Sequence, residues 1–452
     1  MPRDDRTLIE GLEALLRARG IVGELRELSQ LSGGASRETW SLELVTPDGL
    51  RPLIVQRLRA GTGGGGPGMV GEAALIDAAR AVGVPVAQVL AADAGPATGA
   101  PCMVMDRLQG ETIARKLLRD DAWAQARSVL VSQAGRALAA IHRIDPRVAP
   151  SLRSADQLDE MRTLLFSFDQ PLPAFELGLR WLEEHRPEAP GSSVVHGDFR
   201  LGNLLIDESG LRGVLDWELA HVGDPIEDLG WYCVRAWRFG SPLAAGGMGT
   251  REQLIEAYEA AGGDRVDPEA LRWWELLGTL KWGLICIVQA QVHLGGAARS
   301  VELATIGRRV CENEWDVLAL LPGGDLPGPR PVVTEPAESR YGRPTAQELV
   351  EAVREWVERD VRGATEGRVA FHARVAANAL TMVERELALA PRHEAEHQAT
   401  LSKLGCADDA TLVARIRSGA LDRGAEEVRM LVAELVRAQL EVANPRWLEP
   451  DR

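Results

Sequence analysis

The chain has 452 residues, 45% of them hydrophobic, and a formal net charge of −15 at pH 7. This length exceeds the ~250–300 residues at which single hydrophobic cores stop growing, so we expect more than one domain. The negative charge disfavours a sequence-independent grip on nucleic acid or on an anionic membrane, and small-molecule or protein partners are favoured instead.

The cysteines are widely spaced and form no CxxC pair, which argues against a zinc knot or a disulfide framework. Residues 1–16 lack the basic start and apolar core of a signal peptide. The most membrane-like stretch, 276–294, is interrupted by Lys281 and predicts a buried helix. We therefore expect a cytoplasmic protein with no membrane segment.

Hydrophobic periodicity changes along the first part of the chain from helical to alternating and back. The predicted elements are a helix over 7–19, an antiparallel meander of strands near 26–32, 39–45 and 51–58, a helix over 70–82, and strands over 84–91 and 102–106. After Gly110 the chain is mostly helical. A Pro- and Gly-rich linker over 322–344 precedes amphipathic helices, the first of which begins with a Thr345–Glu348 capping box.

The stretch VVHGDFRLGNLLID, residues 194–207, sets polar groups between apolar runs. Asp198 follows His196 by two residues, Asn203 follows Asp198 by five, and Asp216 ends another apolar run. This is the spacing of a kinase catalytic loop, in which an Asp receives the acceptor proton and oxygen ligands hold Mg²⁺. Any one of these residues alone is more simply a turn-capping group.

The combination HGDxxxxN…LDW resembles the aminoglycoside phosphotransferase-like branch of the protein-kinase-like fold, over roughly residues 25–300. It most resembles the kinase-like domains that accompany acyl-CoA dehydrogenases. The resemblance implies a two-lobed α+β fold, with a nucleotide-binding N-lobe of antiparallel sheet plus helix at 1–106 and a mainly helical C-lobe at 107–321. A separate all-α domain over 345–452 follows the linker.

The resemblance also implies roles for the residues of the motif. Asp198 is the catalytic base, and Asn203 and Asp216 are the metal ligands. The supporting residues are His196 in the loop, Glu218 beside a second metal or the acceptor, and Asp228 bracing the loop. A solvated helix carboxylate is the alternative for Asp228.

The segment GDPIEDL, residues 223–229, has its own physical interpretation as a helix start. Asp224 is predicted as the N-cap and Glu227 as its capping-box partner.

The residues predicted to bind the nucleotide follow the family pattern less closely than the catalytic loop does. By resemblance, the backbone N–H groups of Gly34, Ala35 and Ser36 face the γ-phosphate, although a plain Gly-Gly hairpin is the alternative. In the strand 53–58, alternation that puts Val55 in the cleft also puts Arg57 there, where the family has a Lys, with Glu72 as its ion-pair partner. The adenine is expected beside Met105, Asp106 and Leu108.

The predicted activity is ATP-dependent phosphorylation of a small-molecule hydroxyl with Mg²⁺, with GTP left open as a donor. The acceptor is a hydroxyacyl-CoA, with proteins of acyl-CoA metabolism as partners, or an aminoglycoside-type antibiotic. The alternative from another class is a nucleotide-binding pseudokinase that acts as a scaffold through its helical tail.

The C-terminal region contains His393-Glu394-Ala395-Glu396-His397, a literal HExxH zinc-peptidase motif. Its surroundings are dense in Glu and Arg and offer no evident third ligand, so a solvated helix face is favoured over a protease.

Overall fold

The computed structural model describes residues 3–31, 37–59, 66–188, 191–331 and 341–449. Contacts divide the chain into two compact units. The first joins Met1–Asp156 with Pro187–Glu275, and the second joins Gln157–Arg186 with Leu276–Arg452.

The first unit begins with a helix and an antiparallel five-stranded sheet of order β1-β2-β3-β5-β4. The strands are β1 Glu24–Gln30, β2 Arg37–Thr46, β3 Gly49–Leu58, β4 Val89–Asp93 and β5 Cys102–Asp106, and the helices are α1 Arg3–Ala18 and α2 Gly68–Ala81. The predicted sheet-plus-helix N-terminal region is confirmed.

One face of this sheet is covered by α1. Leu53 and Val55 of β3 are fully buried in a core that includes Leu8 and Leu12 of α1. Since side chains alternate along a strand, Ile54 and its neighbours two residues away lie on the opposite face.

The remaining elements are mostly helical. The helices are α3 Ala114–Arg119, α4 Ala124–Ile141, α5 Gln157–Ser167, α6 Pro173–Glu184, α7 Ile226–Cys233, α8 Arg251–Ala260, α9 Pro268–Leu294, α10 Val301–Ile306, α11 Val310–Leu320, α12 Ala346–Trp356, α13 Gly367–Lys403, α14 Asp409–Arg417 and α15 Ala425–Ala443. The strands are β6 Ser193–Val195, β7 Leu204–Asp207, β8 Gly210–Val214 and β9 His221–Gly223.

Two short antiparallel ribbons position the predicted catalytic loop. β6 pairs with β9, and β7 pairs with β8. The loop of residues 196–203 runs from β6 to β7, so both of its ends are held by backbone hydrogen bonds.

In the second unit, the C-terminal helices pack on α6, α10 and α11 rather than forming a core alone. Arg180 of α6 binds Asp422 at 2.7 Å, and the buried Glu176 of α6 binds Arg417. Trp447 donates to Asp316 of α11 at 2.9 Å. The second unit therefore cuts across the predicted segments 107–321 and 345–452, because both contribute to one packed set of helices.

The predicted capping box at the start of α12 is present, with Thr345 Oγ1 and the Glu348 side chain each bonding the other residue's backbone N–H. All five cysteines are buried and unpaired. None of the helices in the described ranges is long and apolar enough to cross a membrane.

Candidate active site

His196 connects the catalytic loop to the segment that follows β8 and contains Asp216. Its ring is buried, with Nε2 3.1 Å from the carbonyl oxygen of Leu215 and Nδ1 accepting from the Asp198 N–H at 3.2 Å. Burial lowers the pKa of His196, so the imidazole is neutral with its proton on Nε2. The ring thus has a positioning role and leaves proton transfer to another group.

Asp228 of α7 stabilises the same loop by accepting hydrogen bonds from its backbone. Its two carboxylate oxygens accept from the backbone N–H groups of His196 at 2.8 Å and Gly197 at 2.9 Å. The side chain is fully buried and also contacts His142 Nε2 at 3.2 Å. Burial by itself would raise the pKa of Asp228, but the His142 contact and these N–H donors lower it, so Asp228 is a carboxylate.

The backbone conformation of this loop requires a glycine at position 197. Gly197 has φ of +78°, and a Cβ there would lie 2.5 Å from the Leu219 carbonyl oxygen. A side chain would be strained and would clash, which explains why the motif has HGD.

At the start of α7, the Asp224 side chain accepts from the Ile226 N–H at 2.9 Å, as an N-terminal cap does. The Glu227 side chain binds His221 Nε2 at 3.0 Å. The predicted capping-box contact of Glu227 stays a prediction.

Asp198 is held by donors on both carboxylate oxygens. Oδ1 accepts from Arg200 Nε at 3.0 Å and Trp231 Nε1 at 2.9 Å, and Oδ2 accepts from Asn203 Nδ2 at 2.6 Å. A carboxylate has about four acceptor positions, so one on Oδ2 remains for an incoming hydroxyl.

Asn203 and Asp216 line the same cavity, and the Glu218 carboxylate is close enough to Asp216 to act on it electrostatically. The Leu215 N–H donates to the Asn203 carbonyl oxygen at 2.9 Å, which ties the loop to the Asp216 segment. Asp216 has φ of +63°, a conformation that costs energy and recurs at functional sites. Burial and the Glu218 carboxylate raise the pKa of Asp216 to about 6.

A divalent cation would relieve this crowding of carboxylates, and carbonyl and carboxylate oxygens suit a hard cation such as Mg²⁺. Among the described residues, no group of three His, Cys, Asp or Glu side chains is arranged to hold a metal by itself. A site on Asn203 and Asp216 therefore depends on water and phosphate oxygens to complete its shell.

A cavity of about 390 Å³ adjoins these residues. It is lined by the face of the sheet opposite α1, by α2 and by the β7–β8 ribbon. Its walls include Ile54, Gln56, Glu72, Met103, Met105, Asp106, Leu108, Asn203 and Asp216. The Asp106 N–H donates to the Gln88 carbonyl oxygen at 3.0 Å, whereas the Leu108 N–H has no acceptor among the described residues. The predicted residues Gly34, Ala35 and Ser36 lie outside the described residues.

Arg57 does not occupy the position predicted for it. Gln56, paired in register with Met103, lines the cavity, whereas Arg57 lies on the α1 face of the sheet with Val55. Arg57 donates to the Thr98 carbonyl oxygen at 3.0 Å and lies 3.6 Å from Glu38. The predicted Arg57–Glu72 ion pair was wrong because α1 covers the face to which alternation assigns Val55 and Arg57.

The partner of Glu72 is Arg37, at the start of β2. Its Nη1 and Nη2 each donate to one Glu72 carboxylate oxygen at 2.8 Å, and both side chains are at most 7% exposed. Nη1 also donates to Gln56 at 3.2 Å, and Nε donates to Glu218 at 3.0 Å. Arg37 Nη1 lies 4.0 Å from Asp216. A cation from β2 therefore stands where one from β3 was predicted.

The HExxH motif does not form a metal centre. His393 Nε2 contacts Glu441 at 2.9 Å, and His397 Nε2 contacts Asp409 at 3.0 Å. The two imidazoles are thus directed to different carboxylates, and no metal-binding group of three exists among the described side chains.

Two family models match the chain. The first, described as "Phosphotransferase enzyme family", matches residues 27–274, which is more than half of the 452 residues. The chain belongs to this phosphotransferase family. The second, "Domain of unknown function (DUF6285)", matches residues 363–447. The predicted family is confirmed, and the phosphotransferase region contains every residue of the candidate site.

Named relatives share shorter stretches of sequence with this chain. Acyl-CoA dehydrogenase family member 10 of Mus musculus is 42% identical over 65 residues, which are 14% of this chain and 6% of the relative. Family member 11 of Homo sapiens is 32% identical over 100 residues, 20% of this chain and 13% of the relative. The chain thus covers only a small part of the length of these relatives.

A crystal structure provisionally assigned as an aminoglycoside phosphotransferase, from Ralstonia eutropha, superposes with a TM-score of 0.56. The sequences are 24% identical, and the match covers 68% of this chain and 97% of the other. This likeness shows the kinase-like fold.

Sequence reasoning missed the Arg37, Gln56 and Arg200 side chains of the site. Gln56 carried a usable signal, since it is a polar residue on the face of β3 that it shares with Ile54. Arg37 follows the glycine-containing stretch 32–36 in the sequence and begins a strand, which offered no indication that it would reach Glu72, 35 residues away.

Proposed function

We propose that this phosphotransferase moves the γ-phosphoryl group of ATP to a hydroxyl group of a small-molecule metabolite, with a hydroxyacyl-CoA as the favoured acceptor. The observation that carries the proposal is the joining of Asp198 to Asn203 at 2.6 Å, with Asn203 and Asp216 lining a cavity next to it. This arrangement sets a proton acceptor beside oxygen ligands for a phosphate-bound cation.

In the proposed reaction, the acceptor hydroxyl donates its hydrogen bond to Asp198 Oδ2. As the oxygen–phosphorus bond forms and the bond to the leaving ADP oxygen breaks, Asp198 takes the hydroxyl proton. Arg200 and Trp231 hold Oδ1, so the carboxylate is oriented before the acceptor arrives. Mg²⁺ held by Asn203 and Asp216 would neutralise charge on the phosphate oxygens.

Arg37 supplies positive charge on the nucleotide side of the cleft in this proposal. Four of the five N–H groups that a guanidinium has are committed to Glu72, Glu218 and Gln56. The remaining N–H on Nη2 can donate to a phosphate oxygen, and the ion pairs keep the group fixed. Leu108 N–H is a candidate donor to the adenine ring.

The acyl-CoA acceptor is supported by the named relatives, which are acyl-CoA dehydrogenase family members. An aminoglycoside-type acceptor is the alternative. The test is mass spectrometry after incubation of the full chain with ATP, Mg²⁺ and a panel of hydroxyacyl-CoA thioesters and aminoglycosides. We expect one hydroxyacyl-CoA to gain one phosphoryl group, and a gain only on aminoglycosides would overturn that acceptor.

A pseudokinase scaffold is the second candidate, favoured by the neutral Gln56 on the cavity face of β3, where a cation was predicted. Nucleotide binding without transfer to any compound of the panel, together with stable capture of a protein partner, would support it. Transfer that is abolished by Asp198→Asn would exclude it.

A further inference from the structure

The helical second unit contains a cavity of about 700 Å³, within the size range of small-molecule sites. Its walls come from α11, α13 and α15 and from the segment that leads into α6. None of its lining residues lines the cavity beside Asn203 and Asp216. Its lining includes apolar side chains such as those of Leu172, Val310 and Val436.

The wall contributed by α11 contains a buried acid without a partner. Glu314 is 3% exposed, and among the described residues it has no hydrogen bond or ion pair. Its helix neighbours differ in this respect. Glu312 accepts from Arg309 at 2.9 Å and from Asn444 at 2.8 Å, and Asp316 accepts from Trp447 at 2.9 Å.

An unpaired buried carboxyl is costly, and native structures retain few of them. Burial and the nearby Asp409 raise the pKa of Glu314 to about 7, so the group is poised to ionise when a positive charge approaches. The cavity is the side from which such a charge can come, since Glu314 lines it.

The cations of the wall already have carboxylate partners. Arg308 binds Glu386 at 2.8 Å, and His397 contacts Asp409 at 3.0 Å. Glu394, also on the wall, accepts only from the neutral amide of Gln398 at 3.3 Å among the described residues. Carboxyl groups therefore outnumber cations around the cavity, which disfavours an anionic ligand and favours a cationic one.

We propose that this cavity binds a small organic amine with an apolar body. The ammonium group lies against Glu314, and the apolar part contacts Leu172, Val310 and Val436. The two histidines of the HExxH motif, His393 and His397, line the same cavity. Their role is to hold the carboxylates of Glu441 and Asp409 in place.

The test is isothermal titration of the full-length protein with 4-phenylbutylamine as the probe. 4-Phenylbutyrate and 4-phenylbutanol have the same apolar body with a negative or no charge. We expect the amine to bind and the carboxylate not to bind. Glu314→Gln should weaken amine binding by about tenfold or more, which corresponds to ~1.4 kcal/mol.

Two control variants locate the site. Glu394→Gln removes the same formal charge from an exposed wall position and should change the affinity by less than about threefold. Asp198→Asn should leave amine binding unchanged, because that carboxylate belongs to the other cavity. Absence of amine binding, equal binding by Glu314→Gln, or loss of binding in Asp198→Asn would each overturn the proposal.

Discussion

At the scale of single residues, the cleft depends on one guanidinium shared among carboxylates. Arg37 is nearly buried and contacts both Glu72 and Glu218. Removing one partner of a buried pair leaves the other as an unpaired charge, which typically costs about 3–5 kcal/mol. Arg37 therefore serves the stability of the N-terminal sheet and, in our proposal, the binding of phosphate.

Asp198→Asn is expected to lower kcat by about 10²–10⁴-fold, because the amide cannot take the acceptor proton. Steady-state kinetics with the acceptor found in the mass-spectrometric panel would measure the change. The affinity of the variant for ATP, measured by titration, should stay close to that of the parent protein. Full turnover by the variant would remove Asp198 as the base.

The double variant Arg37→Gln/Glu72→Gln tests phosphate binding apart from folding. It removes both charges of the buried pair together, so Glu72 is not left as an unpaired buried carboxylate. We expect a folded protein whose KM for ATP is raised about tenfold or more, a loss of ~1.4 kcal/mol or more.

Arg57→Gln is the matched control, since Arg57 lies on the α1 face of the sheet. Its KM for ATP should change by less than about twofold. A large rise in the KM for ATP in Arg57→Gln, together with a small rise in the double variant, would show that Arg57 rather than Arg37 binds the phosphate.

At the scale of secondary structure, β3 shows why alternation did not assign the faces of the sheet. Leu53 and Val55 pack against α1, while Ile54 lines the cavity on the other face. Apolar residues occur on both faces, so the sequence pattern of β3 is compatible with either orientation. The covering by α1 decides between the two.

α11 presents a pH-dependent contribution to stability. The pKa of Glu314 is raised from 4.5 to about 7 in the folded chain, so the folded state binds this proton more tightly than the unfolded state. Its favourable contribution is fully present below pH 4.5 and is lost as the pH rises through about 7.

Glu314→Gln should therefore become more stable relative to the parent protein as the pH rises. The relative gain above pH 8 is on the order of 3 kcal/mol at most. Urea unfolding of both proteins at pH 5.5 and pH 8.5 measures it, and other titrating groups cancel in the difference. A pH-independent difference would show that Glu314 is already charged and stabilised in the fold.

At the scale of the whole chain, the second unit brings together segments that are distant in sequence. Arg429 of α15 is buried and donates to the Leu318 carbonyl oxygen of α11 at 2.9 Å. Arg417 binds Glu176 of α6, and Asp422 binds Arg180 of α6. The C-terminal helices therefore cover apolar and polar surface on α6 and α11.

A chain that ends at Leu321 should lose several degrees in Tm and associate, because the covered faces of α6 and α11 become exposed. Differential scanning calorimetry and size-exclusion chromatography of this variant and the full chain measure both effects. A monomeric fragment with an unchanged Tm would show instead that residues 322–452 are an independent appendage.

The sequence by itself determined the family, the antiparallel N-terminal sheet and the spacing of Asp198, Asn203 and Asp216, because these depend on local periodicity and on one short loop. It did not determine which cation meets Glu72, which face of β3 lines the cleft, or that Glu314 is buried without a partner. Those features depend on which elements pack against each other, and only the tertiary structure decided them, since burial and charge pairing join residues far apart in the chain.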